Sequence, residues 1–268
     1  MTRFASTFER LQRDGVCGLF PYLMAGFPDE PTSRALAEAA LAAGVDGFEI
    51  GVPFSDPLAD GTTLQRANAR ALAGGATLDT ALDLARLIRE RSPDTPVSLM
   101  SYYNPLRQRG DRQVAADFAA AGVDAVIAAD LPAEESGELR LALDAEGVAL
   151  IPLVAPTSPP ARIRAMTALQ PEWIYCVALV GVTGARQDVS DALGALLDHV
   201  RAESSAPLVV GFGISQPDHV RRVARLGAAG VIVASALADL IDRSPEPVPA
   251  AAAYLREMKD AAAAVHQP

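Results

Sequence analysis

This 268-residue chain is poor in the residues that build metal sites and disulfides. Its two cysteines, Cys17 and Cys176, lie far apart in apolar surroundings, without a CxxC spacing. Neither a disulfide framework nor a thiolate metal pattern is encoded. A reducing, intracellular and therefore cytoplasmic home is the expectation. The three histidines, His199, His219 and His266, are scattered, which argues against a histidine metal site or a histidine-based triad. Basic residues are outnumbered 23 to 33, for a net charge of −10. A nucleic-acid partner would need a basic patch, so that class is disfavoured. An anionic small molecule stays open, because a local site can oppose the global charge. Long apolar runs are absent too: Gly, Pro or a charge interrupts every one, well short of the ~20 residues of a membrane span. The first residues, MTRFASTFERLQRDG, are mixed in charge and helical in pattern, with no apolar run after them, so no signal peptide is expected.

Half of the residues are nevertheless apolar, enough to bury a large core. They fall into short runs that alternate with amphipathic or Ala-rich stretches. The runs predict eight strands, at 19–23, 47–50, 97–100, 125–128, 149–153, 174–177, 208–211 and 230–233. Helical patterns cover 31–43, 77–91, 112–121, 133–146, 160–169, 190–202, 216–226 and 250–264. A phrase recurs before strands: Ala43-Gly44-Val45-Asp46, Ala121-Gly122-Val123-Asp124, Glu146-Gly147-Val148 and Ala229-Gly230-Val231. Its glycine reads as a left-handed helix cap and its valine as the return to the sheet. Eight such units in about 250 residues match the arithmetic of a (β/α)8 TIM barrel of the α/β class. A doubly wound sheet is the alternative, but the first strand runs into Met24-Ala25-Gly26-Phe27-Pro28 without a GxGxxG turn. No linker divides the chain, so residues 1–268 read as a single barrel domain with an extra N-terminal helix.

Phe48 to Gly61, FEIGVPFSDPLADG, is the most informative segment. Glu49 sits inside an apolar strand pattern, and eleven residues later Asp60 sits in a loop. In a barrel of this kind chemistry gathers at the C-terminal ends of strands. Two carboxyls in different environments can hold different protonation states at one pH. The plain alternative is a glutamate facing solvent from a strand rim and an aspartate capping the next helix. That alternative is the commoner fate of an acidic residue in a strand. Pro53, Ser55, Asp56 and Pro57 make the loop between them long and shaped, which shifts the balance toward function.

Gly181-Val182-Thr183-Gly184-Ala185-Arg186, after the sixth strand, has the composition of a loop that closes over a ligand, or of an ordinary turn. Gly211-Phe212-Gly213-Ile214-Ser215 and Ala234-Ser235-Ala236 follow the seventh and eighth strands. Loops there commonly hold a phosphate on backbone N–H groups and a helix N-terminus. Tyr22, Met100, Tyr102 and Tyr175 lie at other strand ends. Met100 reads as core by itself, whereas the tyrosine hydroxyls need partners if buried and suit the orienting of a carboxylate or substrate. Asp130 is a ligand contact, a loop brace or a partner contact.

The phrases PYLMAGFPD, FEIGVPFSDPLADG, SYYNP, DLP, LVAPTS, VGVTGAR and GFGIS occur in that order, and the chain resembles the tryptophan synthase alpha-subunit family over essentially its whole length. The resemblance implies a barrel lyase that cleaves indole-3-glycerol phosphate to indole and glyceraldehyde 3-phosphate. It implies Glu49 as principal acid–base group, Asp60 facing the indole N–H, and Tyr175 beside the glutamate. It implies substrate contacts at Tyr22, Met100, Tyr102 and Thr183, and phosphate contacts at Gly184, Phe212, Gly213, Ala234 and Ser235. A beta-subunit partner in an α2β2 complex is implied as well, met through Pro53, Asp56 and Asn104. Pyridoxal phosphate would belong to that partner, with no cofactor and no metal in this chain. The family usually carries Thr at Met24, Pro at Thr62, Ser or Thr at Ala178 and Gly at Ala234, and Leu106-Arg107-Gln108 is unusual. None of these departures removes a catalytic group. Two alternatives stay open: a stand-alone indole-releasing lyase, freed from the partner by its altered loops, and a non-catalytic activator of a beta subunit, against which the retention of Glu49 and Asp60 speaks.

Overall fold

The computed structural model describes residues 1–178, 186–211 and 213–264. Its strands are β1 (Gly18–Met24), β2 (Phe48–Gly51), β3 (Val97–Ser101), β4 (Ala125–Ala128), β5 (Ala149–Leu150), β6 (Leu153–Val154), β7 (Ile174–Val177), β8 (Leu208–Gly211) and β9 (Gly230–Val233). All pair in parallel, in the order β5-β4-β3-β2-β1-β9-β8-β7-β6. The two outermost strands of that order are consecutive in the chain, separated only by Ile151 and Pro152. Ile151 N–H donates to Val126 O on one side, and Pro152 O accepts from Tyr175 N–H on the other. One extended segment therefore joins both edges and closes a barrel of eight staves, the fifth in two pieces. The predicted fifth strand, 149–153, is split because Pro152 has no N–H to give to the ladder.

The helices are α1 (Arg3–Asp14), α2 (Glu30–Ala42), α3 (Thr62–Ala73), α4 (Leu78–Arg91), α5 (Tyr103–Arg109), α6 (Asp111–Ala121), α7 (Gly137–Ala145), α8 (Pro160–Thr167), α9 (Arg186–Glu203), α10 (Pro217–Arg225), α11 (Ser235–Arg243) and α12 (Pro247–Ala263). Of these, α3, α5 and α11 had no range among the helical patterns, although a helix after Asp60 and one starting at Ser235 were expected. The predicted helix 133–146 is divided: a short 3-10 turn, Ala133–Glu135, precedes α7. Ser136 closes that turn by donating its Oγ–H to Ala133 O at 2.8 Å, and α7 starts only after it. Among the described residues, no helix is long and apolar enough to cross a membrane.

The N-terminal helix is a plug. Phe4, Phe8 and Leu11, spaced to share one helical face, are all buried. Phe4 meets Phe20 and Trp173, with ring centroids 6.1 and 5.4 Å apart. Phe20 fits the floor of the barrel because three glycines leave it room. A Cβ at Gly18, Gly47 or Gly230 would come within 2.8 Å of the Phe20 ring. Two aspartates of the recurring phrase then fasten the plug. Asp46 accepts from Leu19 N–H and from Arg10 of α1, and pairs with Lys259 of α12. Asp124 accepts from Val97 N–H, Arg3 of α1 and Arg89 of α4.

Candidate active site

Strand pairing puts Tyr22 opposite Glu49 and Glu49 opposite Ser98. Glu49 does not face solvent. It is 1 % exposed, and its Oε2 has no hydrogen-bond partner among the described residues. Beneath it, Phe4, Phe20, Trp173, Val209 and Ile232 close the floor. Above it lies a cavity of about 100 Å³, lined by Tyr22, Glu49, Asp60, Gly61, Leu64, Met100, Tyr175, Gly213, Ile214, Ile232, Ala234 and Ser235. Burial, and then the nearby Asp60 charge, push the Glu49 carboxyl up to about 8.

Asp60 comes to the same cavity from the loop after β2. It does not cap α3, whose N-cap is Gly61 and carries no side-chain cap. Its Oδ2 instead accepts from Asn68 Nδ2 at 2.9 Å. Burial raises its carboxyl to about 6, opposed by hydrogen bonds from Tyr102 and Asn68. Tyr102 stands behind Asp60. Its Oη also accepts from Ala59 N–H at 2.8 Å, and its ring lies tilted against Phe54 with centroids 5.2 Å apart.

Tyr22 and Tyr175 reach the cavity across glycines. Each phenol lies so close to a strand end that a Cβ at Gly51 would overlap the Tyr22 hydroxyl, and one at Gly211 the Tyr175 hydroxyl. Burial, with the two carboxylates nearby, holds both phenols well above their ordinary range, so both stay protonated donors. The sequence did not mark out Asn68, nor the room that Gly51 and Gly211 leave for the two phenols. The signal for Gly51 and Gly211 was the placing of a glycine at a strand end two positions past an inward residue.

Gly213, Ala234 and Ser235 converge at the other side of the cavity, as their loops suggested. Gly213 takes a left-handed conformation, φ 73°, and its carbonyl lies 3.1 Å from His219 Nδ1. Ala234 is the N-cap of α11 and Ser235 its first residue, so free backbone N–H groups of that helix begin at the cavity. Thr183, Gly184 and Phe212 lie outside the described residues. Among the described residues, no group of His, Cys, Asp and Glu is arranged to hold a metal ion. Both cysteine thiols are buried, which pushes them up to about 12 and leaves them unreactive.

The residues expected at a partner surface divide. Asp56 and Asn104 are exposed, whereas Pro53 is buried at the base of the loop. Leu58, 92 % exposed at the loop tip, was not singled out in the sequence. Asp130 braces the start of α5, where its Oδ1 accepts from Tyr103 N–H at 2.7 Å, and it stays exposed. Leu106 to Gln108 are part of α5.

The sequence profile of the tryptophan synthase alpha chain matches residues 8–265. The chain belongs to the tryptophan synthase alpha chain family. It is 50 % identical to the alpha chain of Roseiflexus castenholzii, over 97 % of this chain and all of that one. It is 48 % identical to that of Chloroflexus aurantiacus, over 98 % of this chain and 99 % of that one. The fold superposes on the tryptophan synthase subunit alpha of Legionella pneumophila with a TM-score of 0.89 at 34 % identity, covering 97 % and 98 % of the two chains. Tryptophan synthase of Mycobacterium tuberculosis also gives 0.89, at 32 % identity and 100 % and 99 % coverage. The family is a TIM-barrel lyase family of tryptophan biosynthesis, acting on indole-3-glycerol phosphate.

The departures from the family pattern fall at identifiable places. Thr62 is the first residue of α3, where a proline would pre-set the helical φ without losing a needed N–H. Ala178 is buried beside β8, with its N–H donating to Gly211 O. Met24 is buried at the end of β1. Ala234 adds a methyl to the wall of the cavity.

Proposed function

We propose that Glu49 and Asp60 carry the retro-aldol cleavage of indole-3-glycerol phosphate. The observation that supports this most directly is their meeting in one cavity with different affinities for a proton, about 8 and about 6. Near pH 7 that pair holds a protonated Glu49 beside an ionised Asp60. Cleavage needs a proton on indole C3, so that the ring accepts the electron pair of the breaking C3–C1′ bond. It also needs the proton of the C1′ hydroxyl removed as the aldehyde forms. Glu49 gives the first proton and, once ionised, takes the second, so the protons balance and the group is regenerated. Asp60 as carboxylate faces the indole N–H and stabilises the positive charge that grows on that nitrogen. Tyr175, protonated and close to Glu49, orients that carboxyl.

Tyr22, Met100, Leu64 and Ile232 supply an apolar wall for the indole ring. The phosphate goes to Gly213, Ala234 and Ser235, where backbone N–H groups and the α11 dipole favour an anion. Thr183, Gly184 and Phe212 complete that reading from the sequence. The family also suggests a beta subunit as partner. We place its contact on the exposed tip of the 52–61 loop, with Asp56 and Leu58, and on Asn104, in an α2β2 assembly working in the cytoplasm. Pyridoxal phosphate belongs to that partner. Residues 1–268 are read as one domain, supported by a single continuous buried cluster.

The test is indole release from indole-3-glycerol phosphate by the chain alone and with a beta subunit, with Glu49→Gln as the control. Slow release alone, strong stimulation by beta, and loss of turnover with substrate binding intact in Glu49→Gln are the expected results. Most of the activity surviving in Glu49→Gln would sink the assignment of roles. Fast release indifferent to beta would replace it with a stand-alone lyase.

A further inference from the structure

Asn68 is a buried amide, 2 % exposed, on the second turn of α3. It points back at the loop that carries Asp60 and uses both ends of its side chain there. Its Oδ1 accepts from Phe54 N–H at 2.9 Å, near the start of the loop. Its Nδ2 donates to Asp60 Oδ2 at 2.9 Å, at the loop's end, and to Leu64 O at 3.1 Å. The acceptor is thus committed to a backbone N–H, which fixes the amide orientation and turns the donor toward the carboxylate. Tyr102 supports the same segment from the other side, through Ala59 N–H.

We infer that Asn68 is a positioning residue for the cleavage: its amide fixes both the place of Asp60 and its ionised state by donating to the carboxylate. This rests on the reading of Asp60 as a reacting group. A helix residue is the right carrier for such a role, because the hydrogen-bonded backbone of α3 fixes where its side chain starts. The other ionisable groups that face Asp60 are Glu49 on β2, Tyr22 on β1, Tyr102 after β3 and Tyr175 on β7. The three phenols stay neutral in the working range, and Glu49 stays protonated over the range in which Asp60 ionises. Asn68 and Tyr102 are therefore the donors that oppose burial at this carboxylate.

The experiment is the pH profile of kcat/KM for indole-3-glycerol phosphate in the full chain, for wild type, Asn68→Asp, Asp60→Asn and the double variant. Asn68→Asp is isosteric and keeps an acceptor for Phe54 N–H, but loses the donor and adds like charge. The acid limb of its profile should move up by about one pH unit or more. In the Asp60→Asn background the same change should move nothing further. A uniform drop at all pH values, with an unmoved acid limb, would show a purely structural role and overturn the inference. If Asn68→Asp does not fold, Asn68→Ala is read by the same criterion, since it too removes the donor. Full activity in Asp60→Asn would overturn the parent reading and this one with it. Loss in Asp60→Asn beside an unmoved limb in the Asn68 variants would overturn this one alone.

Discussion

Phe4 lies on the floor of the same small void that Glu49 roofs. A residue at the start of the chain, on a helix that contributes no stave, thereby helps to keep water from the Glu49 carboxyl. The ring is held by Phe8, Phe20 and Trp173 around it and by the pairing of Arg3 and Arg10 with Asp124 and Asp46. Burial is the larger cause of the raised Glu49 carboxyl, so part of that rise depends on the plug.

Phe4→Ala should therefore do two separable things. Truncating a fully buried ring removes about 3–5 kcal/mol of stability, to be read by urea unfolding. Water admitted beneath Glu49 favours its charged form, so its pKa falls from about 8 toward 4.5. The proton donor is then lost at lower pH, and the basic limb of the rate profile should move down. An unmoved basic limb in a folded Phe4→Ala chain would show that the floor does not govern this carboxyl.

Glu49 should also cost stability in proportion to pH. Its folded pKa lies above its unfolded value of 4.5, so between 4.5 and about 8 the folded state binds more protons than the unfolded one. Stability contributed by the neutral carboxyl is fully present below 4.5 and is lost as pH rises through about 8. Glu49→Gln has no such dependence. It should be more stable than wild type at pH 8 by on the order of a few kcal/mol, with the gap closing toward pH 4.5. Unfolding curves of the two chains at pH 5 and pH 8 test this, and a gap that does not change with pH would refute the raised pKa.

The architecture was legible because it rests on periodicity. Apolar runs mark every stave and the Gly-Val return precedes four of them, and eight runs counted along the chain already point to a closed barrel. Pro152 was visible inside the fifth run, yet its effect on the ladder depends on which neighbour needs its N–H, a tertiary fact. The extents of α3, α5 and α11 were hidden for a related reason. Each begins within a loop already read for its chemistry, so its first turn looked like loop. Asp46 and Asp124 stood in the recurring phrase, but the phrase alone showed a helix cap and not the two arginines that reach them from α1. At the site, Glu49 and Asp60 were readable from residue type and loop length. Asn68 was not, because a polar residue on a helix normally faces water, and only the folded-back loop buries this one. Pro53 went the other way: its place in an exposed loop concealed its burial at the base.

Gly51 and Tyr22 make the last relationship, one that no pattern of residue types announces. Gly51 ends β2 two positions beyond Glu49, and so points to the same face. Tyr22 comes from the neighbouring strand and lays its hydroxyl where a Gly51 Cβ would be. Gly51→Ala must therefore displace the phenol into the cavity, toward the space for the substrate. Since the cavity holds only about 100 Å³, a displaced ring removes most of it. KM for indole-3-glycerol phosphate should rise and kcat fall, with far-ultraviolet circular dichroism unchanged. Tyr22→Leu added to Gly51→Ala removes the ring atoms that collide and should restore part of the loss. A Gly51→Ala chain with wild-type kinetics would show that the phenol has another place to go. A loss that Tyr22→Leu does not relieve would put the damage in β2 itself, at Glu49.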